Sequence, residues 1–230
     1  MNNAICFRLR QLGTRALVLM LTGGCAALMP NPAPQPSFFS LDGARPIAAT
    51  QRIVANGTPT LVVNPPLATA GFDSQRIIYV REAYKLEYFA QSEWIDTPAR
   101  MLAPLIVSAT ERSGAFRAVV STPSAAAGDI RLETEIIRLQ HNFGGPTSGV
   151  RFTLRAYLVD SATRRVLARR EFDETVAATS EDPYGGVVAA NRAVQIVLEQ
   201  LAGFCTDAAR KWTPPWIDES PRAKARMLER

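Results

Sequence analysis

The chain has almost none of the residue types from which catalytic and metal centres are usually built. It contains one histidine, His141, and three cysteines, Cys6, Cys25 and Cys205. A lone histidine leaves only carboxylates such as Asp129, Glu133 and Glu135 for a metal, and these alternate along a strand-like segment as a solvated face would, so no metal site is expected. There is no Gly-x-Ser-x-Gly turn to carry a hydrolase nucleophile. Gly144-Gly145 and Gly185-Gly186 lack the lysine and glycine spacing of a phosphate loop, so an ATP-driven process would need another subunit to hydrolyse the nucleotide. No basic stripe interleaved with aromatics survives to suggest nucleic acid. No apolar run approaches the about 18 residues that span a bilayer, and no internal repeat is visible.

What is present begins at the N-terminus. Arg8, Arg10 and Arg15 precede the apolar run Ala16-Leu17-Val18-Leu19-Met20-Leu21, and Thr22-Gly23-Gly24-Cys25 follows, with no acidic residue before Cys25. A basic then apolar leader closed by small residues and a cysteine predicts a bacterial lipoprotein signal over residues 1–24. Its removal leaves Cys25 as the first residue, with the thiol as the nucleophile that takes up lipid, palmitate included. An ordinary secretory leader with a chance cysteine is the alternative, and Thr22 is the position that departs from the usual lipid-attachment motif. Pro30, Pro32, Pro34 and Pro36 alternate through residues 25–36. That composition favours polyproline II, so about eleven residues would hold a domain roughly 30 Å from a membrane.

The leader carries three arginines and no acid, which lowers the formal net charge of +5 to +2 for the mature chain. Roughly 200 residues remain, enough for one domain with a substantial core. Cys205 has no partner within the chain and shares a helical stripe with Val194, Val197, Leu198 and Leu201, which predicts a buried, unreactive thiol.

Within the domain, residues 37–212, Phe38–Leu41 and Leu61–Val63 read as short buried strands separated by a loop over Gly43–Pro59. Ile77–Val80 and Lys85–Ala90 read as a hairpin turning through Glu82-Ala83-Tyr84, with Leu86 and Tyr88 on one face. Thr97 and Pro98 begin a helix over residues 98–112, with Pro104 expected to kink it. Phe116–Ser121 reads as another strand. Asp129–Phe143, Val150–Asp160 and Arg165–Ala177 then form an antiparallel meander, in which Phe152, Leu154, Ala156 and Leu158 alternate with Arg151, Thr153, Arg155 and Tyr157. Asp182 and Pro183 start a long helix stopped after Trp212. Residues 213–230 are charged and expected to be disordered. The predicted fold class is α/β, two helices packed on a mixed, largely antiparallel sheet in the order strands, helix, strands, helix.

With catalytic motifs missing, the remaining functional feature is a concentration of aromatics: Tyr79, Tyr84, Tyr88, Phe89 and Trp94. Aromatics are enriched where proteins meet one another or an apolar ligand, and these five are the candidate partner- or lipid-contact residues, against the alternative that they fill the core. A hydrolase built from Ser74, Asp73 and His141 would need the three to meet in space, and nothing in their spacing requires that. The expectation is a chain that is not an enzyme and holds no cofactor beyond covalent lipid on Cys25.

Several segments together resemble the ABC-type transport auxiliary lipoprotein family: Phe38-Phe39-Ser40-Leu41, Asn64-Pro65-Pro66, residues 71–77 (GFDSQRI), residues 84–90 (YKLEYFA), Trp94 with residues 96–102 (DTPARML), and Ser113-Gly114 with Phe116. The resemblance covers about residues 36–212. It implies a lipoprotein at the outer membrane, facing the periplasm, that serves a transporter with a permease, an ATPase and an MCE-domain substrate-binding protein. The implied cargo is lipid, phospholipid included, moved between the inner and outer membranes, with the lipoprotein docking the MCE protein. Ala26 after the cysteine is compatible with export to the outer membrane. A homo-oligomer fits the same picture, and the family supplies no catalytic residue. The alternatives are a structural or assembly lipoprotein of the envelope and, as the enzyme case, a periplasmic esterase using Ser74.

Overall fold

A computed structural model describes residues 35–42, 58–124 and 126–213. The leader over 1–24, Cys25, most of the proposed tether, residues 43–57 of the loop expected between the first two strands and the charged tail beyond Thr213 lie outside the described residues.

Nine strands and two helices form the described fold: β1 (Ser37–Phe39), β2 (Thr60–Val63), β3 (Leu67–Ala68), β4 (Arg76–Val80), β5 (Glu87–Trp94), α1 (Pro98–Arg112), β6 (Ala118–Ser121), β7 (Ile130–Asn142), β8 (Gly149–Asp160), β9 (Val166–Ala177) and α2 (Pro183–Lys211). The predicted class holds: two helices pack on a mixed, mostly antiparallel sheet.

β7 is the hub. One of its edges pairs along its length with β8, and β8 pairs with β9, giving the expected meander. Its other edge is shared by three short parallel strands, β2 at Ile130–Leu132, β3 at Glu135–Ile136 and β4 at His141–Asn142. β6 extends the sheet beyond β2, while β5 and then β1 extend it beyond β4. The alternation along β8 sends Val150, Phe152, Leu154, Ala156 and Leu158 into the core beneath the helices. Arg151, Arg155 and Thr153 point the other way, where they bind Asp173, Glu171 and Glu135. Such cross-strand pairs set register as well as adding stability. Arg151 and Thr153 hold the Asp173 carboxyl at a pKa of about 2.

α2 packs on β8 and β9, with α1 beside it. Its buried stripe includes Val187, Ala190, Val194, Val197, Leu198, Leu201 and Cys205, and its first turn is capped as expected, the Gly185 amide donating to Asp182 Oδ1 at 2.7 Å. Cys205 is buried, and burial pushes its thiol up to about 12, which fits the predicted inert sulfur. α1 runs through Pro104 to Arg112 and buries Leu102, Ile106 and Ala109. Pro104 is exposed, so its missing amide lies on the solvent side of the helix.

Four local expectations are corrected. β1 is an edge strand over Ser37–Phe39 rather than a buried one, because only β5 flanks it, and Phe38 is largely exposed. Thr97 occupies the start of α1 without capping it through its side chain; Asp96 instead accepts from the Thr97 amide and pairs with Arg100. The strand expected from Phe116 begins at Ala118, since Phe116 is consumed in the turn that follows Gly114. β5 begins at Glu87 and extends to Trp94, because the turn holds Lys85, whose amide donates to the Glu82 carbonyl. Leu86 therefore precedes the strand and does not share a strand face with Tyr88.

Candidate functional site

Three connections meet at one end of the sheet. The registers Tyr79↔His141, Val80↔Asn142, Asn142↔Gly149 and Gly149↔Ala177 set the ends of β4, β7 and β9 and the start of β8 at one level. The β4–β5 hairpin, the β7–β8 turn and the connection from β9 into α2 emerge there together. Their bases are tied by main-chain bonds: the Phe143 amide donates to Val80 at 2.8 Å, and the Ala178 amide to Ser148 at 2.9 Å.

Rings fill the floor beneath these loops. Tyr79 packs on Phe89 at 4.6 Å between centroids and meets Phe143 edge-on at 5.9 Å, while His141 lies 4.1 Å from Phe143 and 6.3 Å from Phe89. These are the separations at which aromatic pairs add to simple burial. Nearby, Phe39 of β1 approaches Tyr184 in the first turn of α2 at 6.5 Å.

Arg81 braces the root of the hairpin. Its Nε and Nη2 donate to both carboxylate oxygens of Glu87 at 3.1 and 2.9 Å, and Nη2 also donates to the Tyr79 hydroxyl at 3.0 Å. The forked pairing with Arg81 holds the Glu87 carboxyl below the usual range. Above this brace, the turn Glu82–Lys85 lifts Tyr84 fully into solvent with φ of 69°. A bond from the fourth amide to the first carbonyl, with positive φ at the third residue, is the geometry of a type II turn, which ordinarily takes glycine there. Leu86 is also exposed and follows the turn directly.

The five aromatics named from sequence therefore divide. Tyr79 and Phe89 form the ring floor, Tyr84 is the exposed tip, and Tyr88, 49% exposed, lies beneath the Arg76 guanidinium at 4.1 Å. Trp94 is 3% exposed and belongs to the core. Phe143 completes the floor and went unselected in the sequence, because only strand register brings it to this end, whereas Tyr184 packs on Phe39 of β1. Cys25 lies outside the described residues.

No hydrolytic triad assembles. Ser74 and Asp73 precede the start of β4, whereas His141 pairs with its far end. His141 is 2% exposed, and neither of its ring nitrogens has a hydrogen-bond partner. Burial pushes its pKa below the ordinary imidazole value, opposed by the negative charges of Glu181 and Asp182. Among the described residues no group of histidine, cysteine or carboxylate side chains is placed to hold a metal ion, and no helix is long and apolar enough to cross a membrane. A separate groove of about 430 Å³ runs between α1 and the ends of β2 and β6, lined by Pro65, Pro104, Val107 and Thr122 among others.

The fold has solved counterparts. Protein XCC0632 from Xanthomonas campestris is 23% identical, with a TM-score of 0.62 over 79% of this chain and 92% of that one. A second solved structure, of an uncharacterised protein, is 10% identical with a TM-score of 0.58 over 74% of this chain and 99% of that one. At these identities the likeness concerns the fold. Among curated proteins none matches at a significant level. The model of the family described as ABC-type transport auxiliary lipoprotein component matches residues 39–202, which span β2 to β9, α1 and most of α2. The chain belongs to the ABC-type transport auxiliary lipoprotein component family.

Proposed function

We propose that this chain is a non-catalytic lipoprotein subunit of an ABC/MCE-type system that moves lipid between the inner and outer membranes, and that it docks the MCE-domain protein through its loop end. The observation that carries the reading is the fully exposed aromatic tip, Tyr84, raised on a braced hairpin over a floor of rings. A rigid root beneath an exposed tyrosine offers contact area with little ordering entropy to lose on binding. Membership of an auxiliary lipoprotein family supplies the transporter context.

In this reading Cys25 bears the lipid, including palmitate, the proline-rich segment spaces the domain from the outer membrane, and the domain faces the periplasm. Several acyl chains on one cysteine hold firmly where a single chain would exchange, at about 0.8 kcal/mol per buried methylene. The permease and ATPase are reached through the MCE protein, and the chemistry of transport is theirs.

The test is capture of partners by the detergent-solubilised full-length protein, with mass spectrometry of both proteins and lipids. Recovery of an MCE-domain protein with phospholipid, lost in Tyr84→Ala, supports the reading. Recovery of only cell-wall or structural outer-membrane proteins overturns it in favour of an assembly lipoprotein. Cys25→Ser is expected to leave the membrane fraction; continued membrane retention would remove the anchoring claim.

A further inference from the structure

His141 stands out among the buried polar side chains. It sits on the inner face of β7 with both nitrogens unpartnered, and the first turn of α2 rests directly against its ring. A methyl group placed on Gly186 would lie 2.6 Å from His141 Nδ1 and 3.1 and 3.2 Å from Cε1 and Cγ. Only glycine lets the helix seat this closely. A cavity of about 10 Å³ beside the ring is lined by Ile77, Trp94, Leu139, Val150, Gly186 and Ala190, among others, and offers an ionised imidazole little solvation.

We propose that His141 is a proton-operated latch for the loop end: neutral, it lets the first turn of α2 seat on β7 through Gly186, and protonated, it releases that turn and the loops packed with it. The regulatory consequence rests on the docking reading above, but the latch itself does not.

The groups that face His141 decide the direction. From the connection into α2 come Glu181 and Asp182, both favouring a positive charge. Asp182 is already engaged, accepting from the Gly185 amide and the Ser180 hydroxyl. From β4 comes Tyr79, whose hydroxyl is taken by Arg81, and from β5 Glu87, held by Arg81 and Lys85. Val150 and Ala190, which line the cavity from β8 and α2, offer nothing polar in their side chains. A proton taken up on an imidazole nitrogen thus creates a cation whose counter-charges are Glu181 first and then Asp182, both in the connection that leads into α2, the second of them its cap. Neither exposed carboxylate touches the buried ring, so bringing one onto it displaces the connection that seats and caps the first turn, and leaving the cation unsatisfied favours an open state in which water reaches the ring.

Proton linkage sets the expected size. If the open state titrates near the ordinary value of about 6.5 and the closed state lower, the opening equilibrium rises up to about tenfold between pH 7.5 and 5.5.

Because His141 is the only histidine, nuclear magnetic resonance reads its titration without ambiguity in the full-length protein in detergent micelles. The imidazole is expected to titrate with a midpoint below about 6.5. Amide exchange at Tyr184, Gly185 and Gly186, corrected for intrinsic rates, should rise by up to the same factor. His141→Phe, which keeps a ring against Phe143, should abolish that rise. A midpoint at or above the ordinary value, or an exchange rise that persists in His141→Phe, overturns the proposal. Gly186→Ala supplies an independent variant: its methyl should open the first turn already at pH 7.5, and protection equal to the parent chain would also overturn it. A working latch with no partner captured at pH 7.5 would defeat the docking reading alone.

Discussion

Replacing Tyr84 by glycine should make the protein more stable while weakening its function. The side chain is fully exposed, so deleting it forfeits no packing. Its backbone, at φ of 69°, lies in the left-handed region, where a residue with a Cβ is disfavoured by about 1–2 kcal/mol. Glycine relieves that strain but gains roughly 0.5–1 kcal/mol of freedom in the unfolded chain. The difference leaves about 0.5–1 kcal/mol of net stabilisation. For a domain of this size, that corresponds to a rise of about 1–4 °C in Tm. Tyr84→Ala is the control: it removes the same ring and keeps the strain, so its stability should match the parent chain within about 0.3 kcal/mol. Urea denaturation at pH 7.5 compares the three proteins, with partner capture run in parallel. Both variants should lose capture, and only the glycine variant should gain stability. A glycine variant no more stable than the alanine variant would show that the turn is not strained at Tyr84. A glycine variant more stable and equally competent in capture would remove the ring from the contact surface.

Three further outcomes follow from the same structure. Asp173 is held at a pKa of about 2 in the fold, so its contribution is present above its unfolded value near 4 and is lost as pH falls from there toward 2. Asp173→Asn should flatten that acid limb in pH-dependent denaturation, by about 1 kcal/mol or less because both partners are about two-fifths exposed. A methyl on Gly128 would overlap Val62 Cγ2, so Gly128→Ala should destabilise by about 1–3 kcal/mol. Adding Val62→Ala should recover part of that loss, with a coupling of about 1 kcal/mol in a double-mutant cycle measured by urea denaturation. Iodoacetamide at pH 8 should leave Cys205 unmodified in the folded protein and alkylate it in urea, as mapped by mass spectrometry, because burial both screens the thiol and raises its pKa.

Much of the architecture was legible because long elements carry long periods. The alternation of β8 needs only one covered face to be read, and the stripe from Val187 to Leu201, opened by Asp182 and Pro183, marks α2 with its cap and its buried cysteine. Short elements were less legible. A two-residue strand such as Leu67–Ala68 has no period, and the start of β5 was set by a turn whose third residue departs from the glycine preference that would have announced it.

The candidate site divides along the same line. Local sequence was enough to mark Tyr79, Tyr84, Tyr88, Phe89 and Trp94 as an aromatic concentration, since that is a matter of composition within a short stretch. Which of them is exposed was a tertiary decision. Alternation separates Phe89, which joins His141 and Phe143 under the loops, from Tyr88, which remains half in solvent, but the register shift in the β4–β5 pairing breaks that alternation, so Trp94, six residues beyond Tyr88, enters the core. The parallel register of β4 on β7 brings Tyr79 to His141 across more than sixty residues of chain, and the docking of α2 then lays Gly186 on the imidazole. Periodicity is local and so belongs to the sequence, whereas the burial of a lone histidine against a distant glycine depends on how strands pair and where a helix comes to rest.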